Sequence, residues 1–345
     1  MVQFLSGAPP LQVLSAFMVR AITVKQLLKN ALRVLNGLCA RMYVKAFPDR
    51  DSLLIVLLHS VVERETDFAQ EVIDPSLAVT KEEFRAFVTY FQEQGYSFVT
   101  PHDVMGPLEP GRYAMITFDD GYANNRLVMP LLTELGVPAV FCLSTGHIEK
   151  GKCFWWDVLY REARGRGKSA LSLEREIGPF KGKRTPEIER SLSEAFGGRC
   201  LEPRSGLDRP LTVPEVREMA RDPHVFWGNH TSDHAVFRDY GPDEVKVQLE
   251  QASARIQEWT GMRPVSVAYP DGSYSEQVIA TSRELGLAVG LTTEIRKNRV
   301  PLDDRRRMRL SRFPLKTGWD IRRQCEQMQS DLNLLGWSDG FVKGY

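Results

Sequence analysis

Apolar and polar positions along this chain fall into a repeating alternation. Short apolar runs of strand length are followed by longer stretches with helical spacing. Ser52–Leu58 predicts a buried strand, and Lys81–Gln94 predicts an amphipathic helix that stops at Gly95. The same reading gives strands over Ala114–Phe118, Pro138–Leu143, Val225–Gly228, Pro264–Tyr269 and Leu287–Thr292. Between them it gives helices over Asn124–Leu135, Asp243–Trp259 and Ser275–Leu285. Gly136 and Gly286 end the first and third of these, and Pro242 precedes the second. Thr317–Leu332 predicts a closing helix. Strands that alternate with helices in this way imply a parallel sheet with crossover connections.

Two stretches stand outside the alternation. Residues 150–211 open with Phe154-Trp155-Trp156 and then turn charged and glycine-containing, which predicts a mostly helical insertion. Its aromatic cluster has two readings. Trp155 and Trp156 could stack on sugar faces in a groove, or the cluster could anchor the insertion to the core, the commoner fate of large aromatics. Residues 1–48 contain no Asp or Glu but carry Arg20, Lys25, Lys29, Arg33, Arg41 and Lys45. From Thr23 to Phe47 the spacing is helical. Leu28, Ala31, Leu32, Leu35, Leu38, Cys39 and Met42 share one face, with basic residues on another. Such a helix either lies on an anionic membrane surface or docks on the main domain with its basic face in water. The expected division is a basic amphipathic segment over 1–48 and a main domain over 49–345 that carries the insertion.

Bulk properties narrow the partners. At 345 residues the chain can bury a full core. A net charge of +1 gives no strong attraction to nucleic acid, so no such partner is expected. Cys39, Cys142, Cys153, Cys200 and Cys325 are scattered and lack CxxC spacing. That argues against a disulfide framework and against a cysteine metal site, and it fits a reducing compartment. Met1–Val19 is uncharged, and the positive charge comes after it, the reverse of a secretory signal. A cytoplasmic location is expected, with residues 1–48 as the candidate point of peripheral contact with the inner membrane.

The chemistry concentrates in two short segments. Thr117-Phe118-Asp119-Asp120-Gly121-Tyr122 puts two adjacent carboxylates at the end of a predicted strand. His230-Thr231-Ser232-Asp233-His234 puts two imidazoles four residues apart, a spacing that shares one face if the segment is helical. One carboxylate and two imidazoles make a three-ligand set for a divalent metal with an open position. The remaining carboxylate is then free to act as a base in metal-assisted hydrolysis. Gly121 permits a tight turn or close backbone approach, and Tyr122 is a candidate substrate contact. Asp119, His230 and Tyr269 each follow a predicted strand, where parallel barrels build their active sites.

Thr-Phe-Asp-Asp-Gly followed by His-Thr-x-x-His resembles the polysaccharide deacetylase family, also called the NodB-homology domain or carbohydrate esterase family 4. The likeness extends to Leu57-Leu58-His59-Ser60-Val61, similar to the family's first strand, and to Val79–Phe84 and Gln94-Gly95-Tyr96. It covers roughly residues 52–120 and 224–315. The resemblance implies a distorted (β/α) barrel of about seven parallel strands and an N-acetyl hydrolase acting on a polysaccharide or lipid-linked glycan. It implies Asp119 as general base and Asp120, His230 and His234 as ligands of a divalent ion, with zinc the default. Tyr269-Pro270-Asp271-Gly272-Ser273-Tyr274 resembles the family's third motif, a wall of the groove. It makes Tyr269, Pro270 and Gly272 candidate substrate contacts, and the backbone N–H of Asp271 a candidate oxyanion donor. The Tyr-Pro-x-Gly form is closer to members linked to exopolysaccharide synthesis.

Two departures matter. Many members carry an arginine before the third motif that holds the catalytic aspartate, but here the position is Ala268. Many end with a histidine that protonates the leaving amine, but no histidine follows His234. His59 is the substitute by location, against a purely structural role at a strand end. Arg309-Leu310-Ser311-Arg312 resembles a segment that returns toward the active site, so Arg309 or Arg312 could pair with Asp119 or a substrate anion. Arg305–Arg307 reads as a solvated loop. The competing functions are a small-molecule amide or formyl hydrolase, a metal-retaining glycan-binding domain with impaired catalysis, and an Fe(II) oxygenase, which the βα alternation disfavours.

Overall fold

The computed structural model describes residues 24–168 and 176–332. Residues 1–23 of the N-terminal segment and 169–175 of the insertion lie outside the described residues, as do the side chains of 24–31, including Leu28 and Ala31, and of Arg33. The strands are β1 (Ser52–Leu58), β2 (Ser60–Val62), β3 (Ala78–Thr80), β4 (Ser97–Phe98), β5 (Arg112–Phe118), β6 (Ala139–Leu143), β7 (Val225–Asn229), β8 (Ser266–Ala268), β9 (Val289–Leu291), β10 (Asn298–Arg299) and β11 (Phe313–Pro314).

Strands β1, β5, β6, β7, β8 and β9 lie side by side and parallel, and β11 adds a seventh parallel strand beside β1. The row curls into a half-barrel with flanking helices, the distorted barrel that the resemblance implied. One segment, residues 310–314, touches both edges of the row. Leu310 bridges to Leu291 at the end of β9, and Phe313–Pro314 pair with Val56 and Leu57 of β1. Every residue of β1 is buried, which is why its sequence is almost uninterrupted Leu, Ile and Val. The registers pair Leu58 with Phe118, Phe118 with Phe141, Leu143 with Asn229 and Ala268 with Leu291. The residues that follow these strands, His59, Asp119, His230 and Tyr269, therefore emerge on one rim.

Boundaries shifted where side chains compete with the backbone. The stretch expected as one helix over 124–135 is a 3-10 turn, Ala123–Val128, followed by a helix, Met129–Leu135. Asn124 and Asn125 are drawn away to hydrogen-bond Val61, Leu207 and the carbonyl of His59, and Pro130 starts the regular helix. The closing helix is shorter than expected, Ile321–Gln329, because Gly318 is left-handed and the Asp320 side chain caps it by accepting from the Arg323 N–H at 2.7 Å. The insertion contributes helices Trp155–Gly165 and Thr185–Phe196 around a separate apolar cluster. Phe154, Trp155 and Trp156 are buried in that cluster, the anchoring position. An ion pair between Arg161 and Asp208, 2.7 Å apart and buried, ties it down. All five cysteines are unpaired.

Candidate metal centre and active site

Asp119 is the first residue past β5, and its N–H bonds the carbonyl of Leu58 at 2.9 Å. The chain then turns sharply: Asp120 has φ 74° and Gly121 φ 87°. A Cβ on Gly121 would lie 2.9 Å from the Leu143 side chain, so glycine is required both by conformation and by space. This turn separates the two carboxylates and gives them different partners.

Asp119 meets Arg312. Nη1 and Nη2 of Arg312 donate to Oδ1 and Oδ2 of Asp119, each at 2.8 Å. The rest of the guanidinium is also bonded, Nε to the carbonyl of Thr292 at 2.9 Å and Nη1 to the Thr117 hydroxyl at 3.2 Å. Arg312 is fully buried. Burial works against the charge on Asp119, but Arg312 and His230 outweigh it and hold the carboxyl well below the usual carboxylate range. The clamp that many relatives place before the third motif thus arrives from the 310–314 segment. Arg309 pairs instead with Glu276 on the surface.

Asp120 meets the histidines. Its Oδ1 lies 3.3 Å from Nε2 of His230 and 3.6 Å from Nε2 of His234. That oxygen is buried and has no hydrogen-bond donor. Burial opposes the charge here too, yet the histidines keep the carboxyl low. Nδ1 of His230 faces the carbonyl of Ala268 at 2.8 Å, which assigns its proton to Nδ1 and leaves the Nε2 lone pair toward Asp120. Burial disfavours a charge on His230, but Asp119 and Asp120 raise its pKa above the ordinary value. His234 goes the other way: burial and its neighbour His230 push it down to about 3. One atom from each of Asp120, His230 and His234 lies within 4.8 Å of the others. A buried, donor-free carboxylate oxygen between two Nε2 atoms fits a divalent cation of the borderline class.

The histidine pair does not sit on a helix, as the four-residue spacing suggested. Residues 230–234 form a turn in which Thr231 (φ 64°) and His234 (φ 51°) are left-handed. Side chains over-determine this conformation. Asn229 accepts from the Thr231 N–H at 2.8 Å, Thr231 accepts from the Ala235 N–H at 2.7 Å, and Gln248 accepts from the N–H groups of Ser232 and Asp233 at 3.0 Å. Gly146 lets the next loop approach, its N–H bonding the carbonyl of Ser232 at 2.7 Å.

The other candidate residues fall in different places. His59 ends β1 partly exposed, with Asp119, Asp120, Arg312 and His230 as its electrostatic neighbours, and burial lowers its pKa. Tyr122 is buried, donates its hydroxyl to Asp157 at 2.6 Å and accepts from the Trp156 indole at 2.9 Å. Trp156 stands edge-on to His234, with ring centroids 4.6 Å apart, so it packs a metal-ligand candidate from behind. Trp155 is buried in the insertion's own apolar cluster, beside Phe180. Tyr269 is fully buried and donates to the carbonyl of Met308 at 3.0 Å. Pro270, Asp271 and Gly272 form the turn after β8, with Asp271 left-handed at φ 54° and its side chain paired with Arg238. The sequence reading missed Asn124, Asn125 and Asp157. Each is an ordinary polar residue whose role depends on a partner remote in sequence.

These observations define a parallel-stranded half-barrel with a carboxylate–histidine cluster on the rim of its strand ends. The chain belongs to the polysaccharide deacetylase family, whose profile matches residues 108–290, 183 of its 345 residues. It is similar to YxkH of Bacillus subtilis, a protein described as a putative polysaccharide deacetylase, with 21% identity over 225 residues, 64% of this chain and 60% of that protein. The chain thus spans only 60% of the length of that curated relative. In fold it is similar to the deacetylase PplD of Streptococcus pyogenes, solved in complex with acetate, at a TM-score of 0.56 and 16% identity over 80% of this chain and 98% of that one. It is also similar to IcaB of Ammonifex degensii, at a TM-score of 0.55 and 18% identity over 81% and 97%.

Proposed function

We propose that the chain is a divalent-metal-dependent hydrolase that removes N-acetyl groups from the sugars of a polysaccharide or a lipid-linked glycan precursor. The observation that carries this reading is the meeting of Asp120 Oδ1 with Nε2 of His230 and His234, beside a second carboxylate that Arg312 keeps charged. Asp120, His230 and His234 would hold the ion, with zinc the default for two imidazoles and a carboxylate in a hydrolase, although Fe(II) suits the same set. When bound, a divalent ion lowers the pKa of water to about 7 and polarises a carbonyl.

Asp119 accepts the proton of the attacking water as its oxygen bonds to the acetyl carbon. Arg312 fixes the direction of that carboxylate and keeps it unprotonated. The backbone N–H of Asp271 is the donor candidate for the oxygen that gains charge. His59, on the same rim, delivers a proton to the sugar nitrogen as the C–N bond breaks, leaving acetate and a free amine. The test is acetate release from N-acetylated chito-oligosaccharides by metal-loaded protein and by Asp119→Asn. The variant should keep its metal and lose about two to four orders of magnitude in rate. Near wild-type turnover would move the base elsewhere, and loss of the metal would exchange the roles of Asp119 and Asp120. A metal-loaded wild type that binds the oligomer without releasing acetate would favour the glycan-binding reading.

A further inference from the structure

The N-terminal helix, Val24–Ala46, packs the wrong way round for an ordinary amphipathic helix. Its small and polar side, Asn36, Gly37 and Ala40, is buried against the closing helix Ile321–Gln329. Gly37 makes this approach possible, since a Cβ there would lie 2.5 Å from the Arg323 side chain. The apolar side faces outward. Leu35 is 51% exposed, Leu38 53% and Met42 71%, and Val34 beside them is 45% exposed. These four lie on one face at helical spacing and form a continuous apolar strip among the described residues.

We infer that this strip is a docking surface for an anionic membrane, with the helix lying in the plane of the lipid interface. Charge selects this occupant. The helix carries no acidic residue, and Arg41 and Lys45 are exposed along the margin of the strip. The closing helix adds Arg322 and Arg323, while its Glu326 is taken up by Arg41 and Arg322. A second copy of this helix would bring like charges together, whereas phosphate headgroups would complement them. An exposed apolar strip edged by lysine and arginine is the pattern of helices that lie on membranes rather than cross them. Among the described residues no helix is long and apolar enough to span a bilayer.

The experiment is flotation of the full chain with vesicles of neutral phosphatidylcholine alone and with 30% (roughly) anionic phosphatidylglycerol, in low and high salt. The wild type should float with the anionic vesicles, less so as salt shortens the screening length from about 10 Å to about 3 Å. The full-length variant Leu35→Asn/Leu38→Asn/Met42→Asn should stay at the bottom, and Lys45→Glu should bind at least fivefold more weakly, about the effect of one basic residue near such a surface. These positions are exposed, so thermal melting and acetate release from soluble oligomers should be unchanged. That separates failure of the docking surface from failure of the deacetylase reading. No flotation of the wild type, or flotation equal in wild type and triple variant, overturns the proposal. So does a wild-type dimer in light scattering that the triple variant dissociates without any lipid binding. A triple variant that melts well below the wild type also overturns it, because the strip would then be covered by the chain itself.

Discussion

The sharpest consequence of the site's geometry is what happens when Arg312 is replaced by methionine. Arg312 and Asp119 are both buried, and two hydrogen bonds of 2.8 Å join them. Methionine fills much of the space but supplies no charge, so Asp119 is left as a buried carboxylate without its cation. Removing one partner of a buried pair costs about 3–5 kcal/mol. At about 2–4 °C per kcal/mol this is a melting shift of roughly 6–20 °C. The pH dependence has a definite sign. The folded pKa of Asp119 lies below its unfolded value, so the stability it contributes is fully present above about pH 4 and is lost as pH falls through the folded value. In Arg312→Met the largest opposition to burial is gone and only the neighbouring histidines remain, so the carboxyl rises and the variant loses stability as pH rises above about 4. The gap between the two proteins should therefore widen from pH 4.5 to pH 7, to roughly the cost given above. Urea unfolding in EDTA measures this without compensation from a bound ion. Arg312→Met/Asp119→Asn should recover at least half of the loss, since the buried charge is gone. A single variant within about 1 kcal/mol of wild type, or a double variant no more stable than the single, would falsify the view that Arg312 neutralises a buried base.

Three further outcomes can be checked. Asp120→Ala, His230→Ala and His234→Ala should each lose metal in equilibrium dialysis while keeping a cooperative melt, and full occupancy in His230→Ala would remove it from the ligand set. His59→Ala should slow cleavage of N-acetyl sugars by about two to four orders of magnitude but leave 4-nitrophenyl acetate hydrolysis nearly unchanged, because that leaving group needs no proton; equal losses on both substrates would point to a structural role. Gly121→Ala should lose both metal affinity and stability, read by dialysis and melting, since the turn needs φ 87° and the Leu143 side chain occupies the space; an unaffected variant would show that the turn tolerates a side chain.

Much of this fold could be read from the chain, and the exceptions have physical causes. β1 was legible because all seven of its positions are buried, so the apolar run Leu53–Leu58 fills the strand from its second residue to its end. The ends of β8 and β9 were not, because apolar residues continue beyond the three that pair in each. β10 and β11 are two-residue strands fixed by the backbone of β1, and no local pattern announces them. At the site, Asp119, Asp120, His230 and His234 stood out because two motifs each concentrate reactive groups. Their relation to Arg312 was legible only as one of two candidates, Arg309 or Arg312, because the pairing spans 193 residues and the arginine lies amid several exposed ones. The outward face of the N-terminal helix was equally hidden. Periodicity identifies an apolar side, but it cannot say that Gly37 and Ala40 give the closer fit to a neighbour.

The segment at 310–314 ties closure of the sheet to the charge balance of the site. It pairs with both the first and the last strands of the parallel row, and it brings the guanidinium that bonds Asp119. Until it docks, the two edges of the row are unjoined and the Asp119 carboxylate lacks its counterion. Joining the two edges of the row and neutralising Asp119 thus depend on the same five residues. A chain cut before residue 312 would keep both motifs but leave the buried Asp119 carboxylate without its cation.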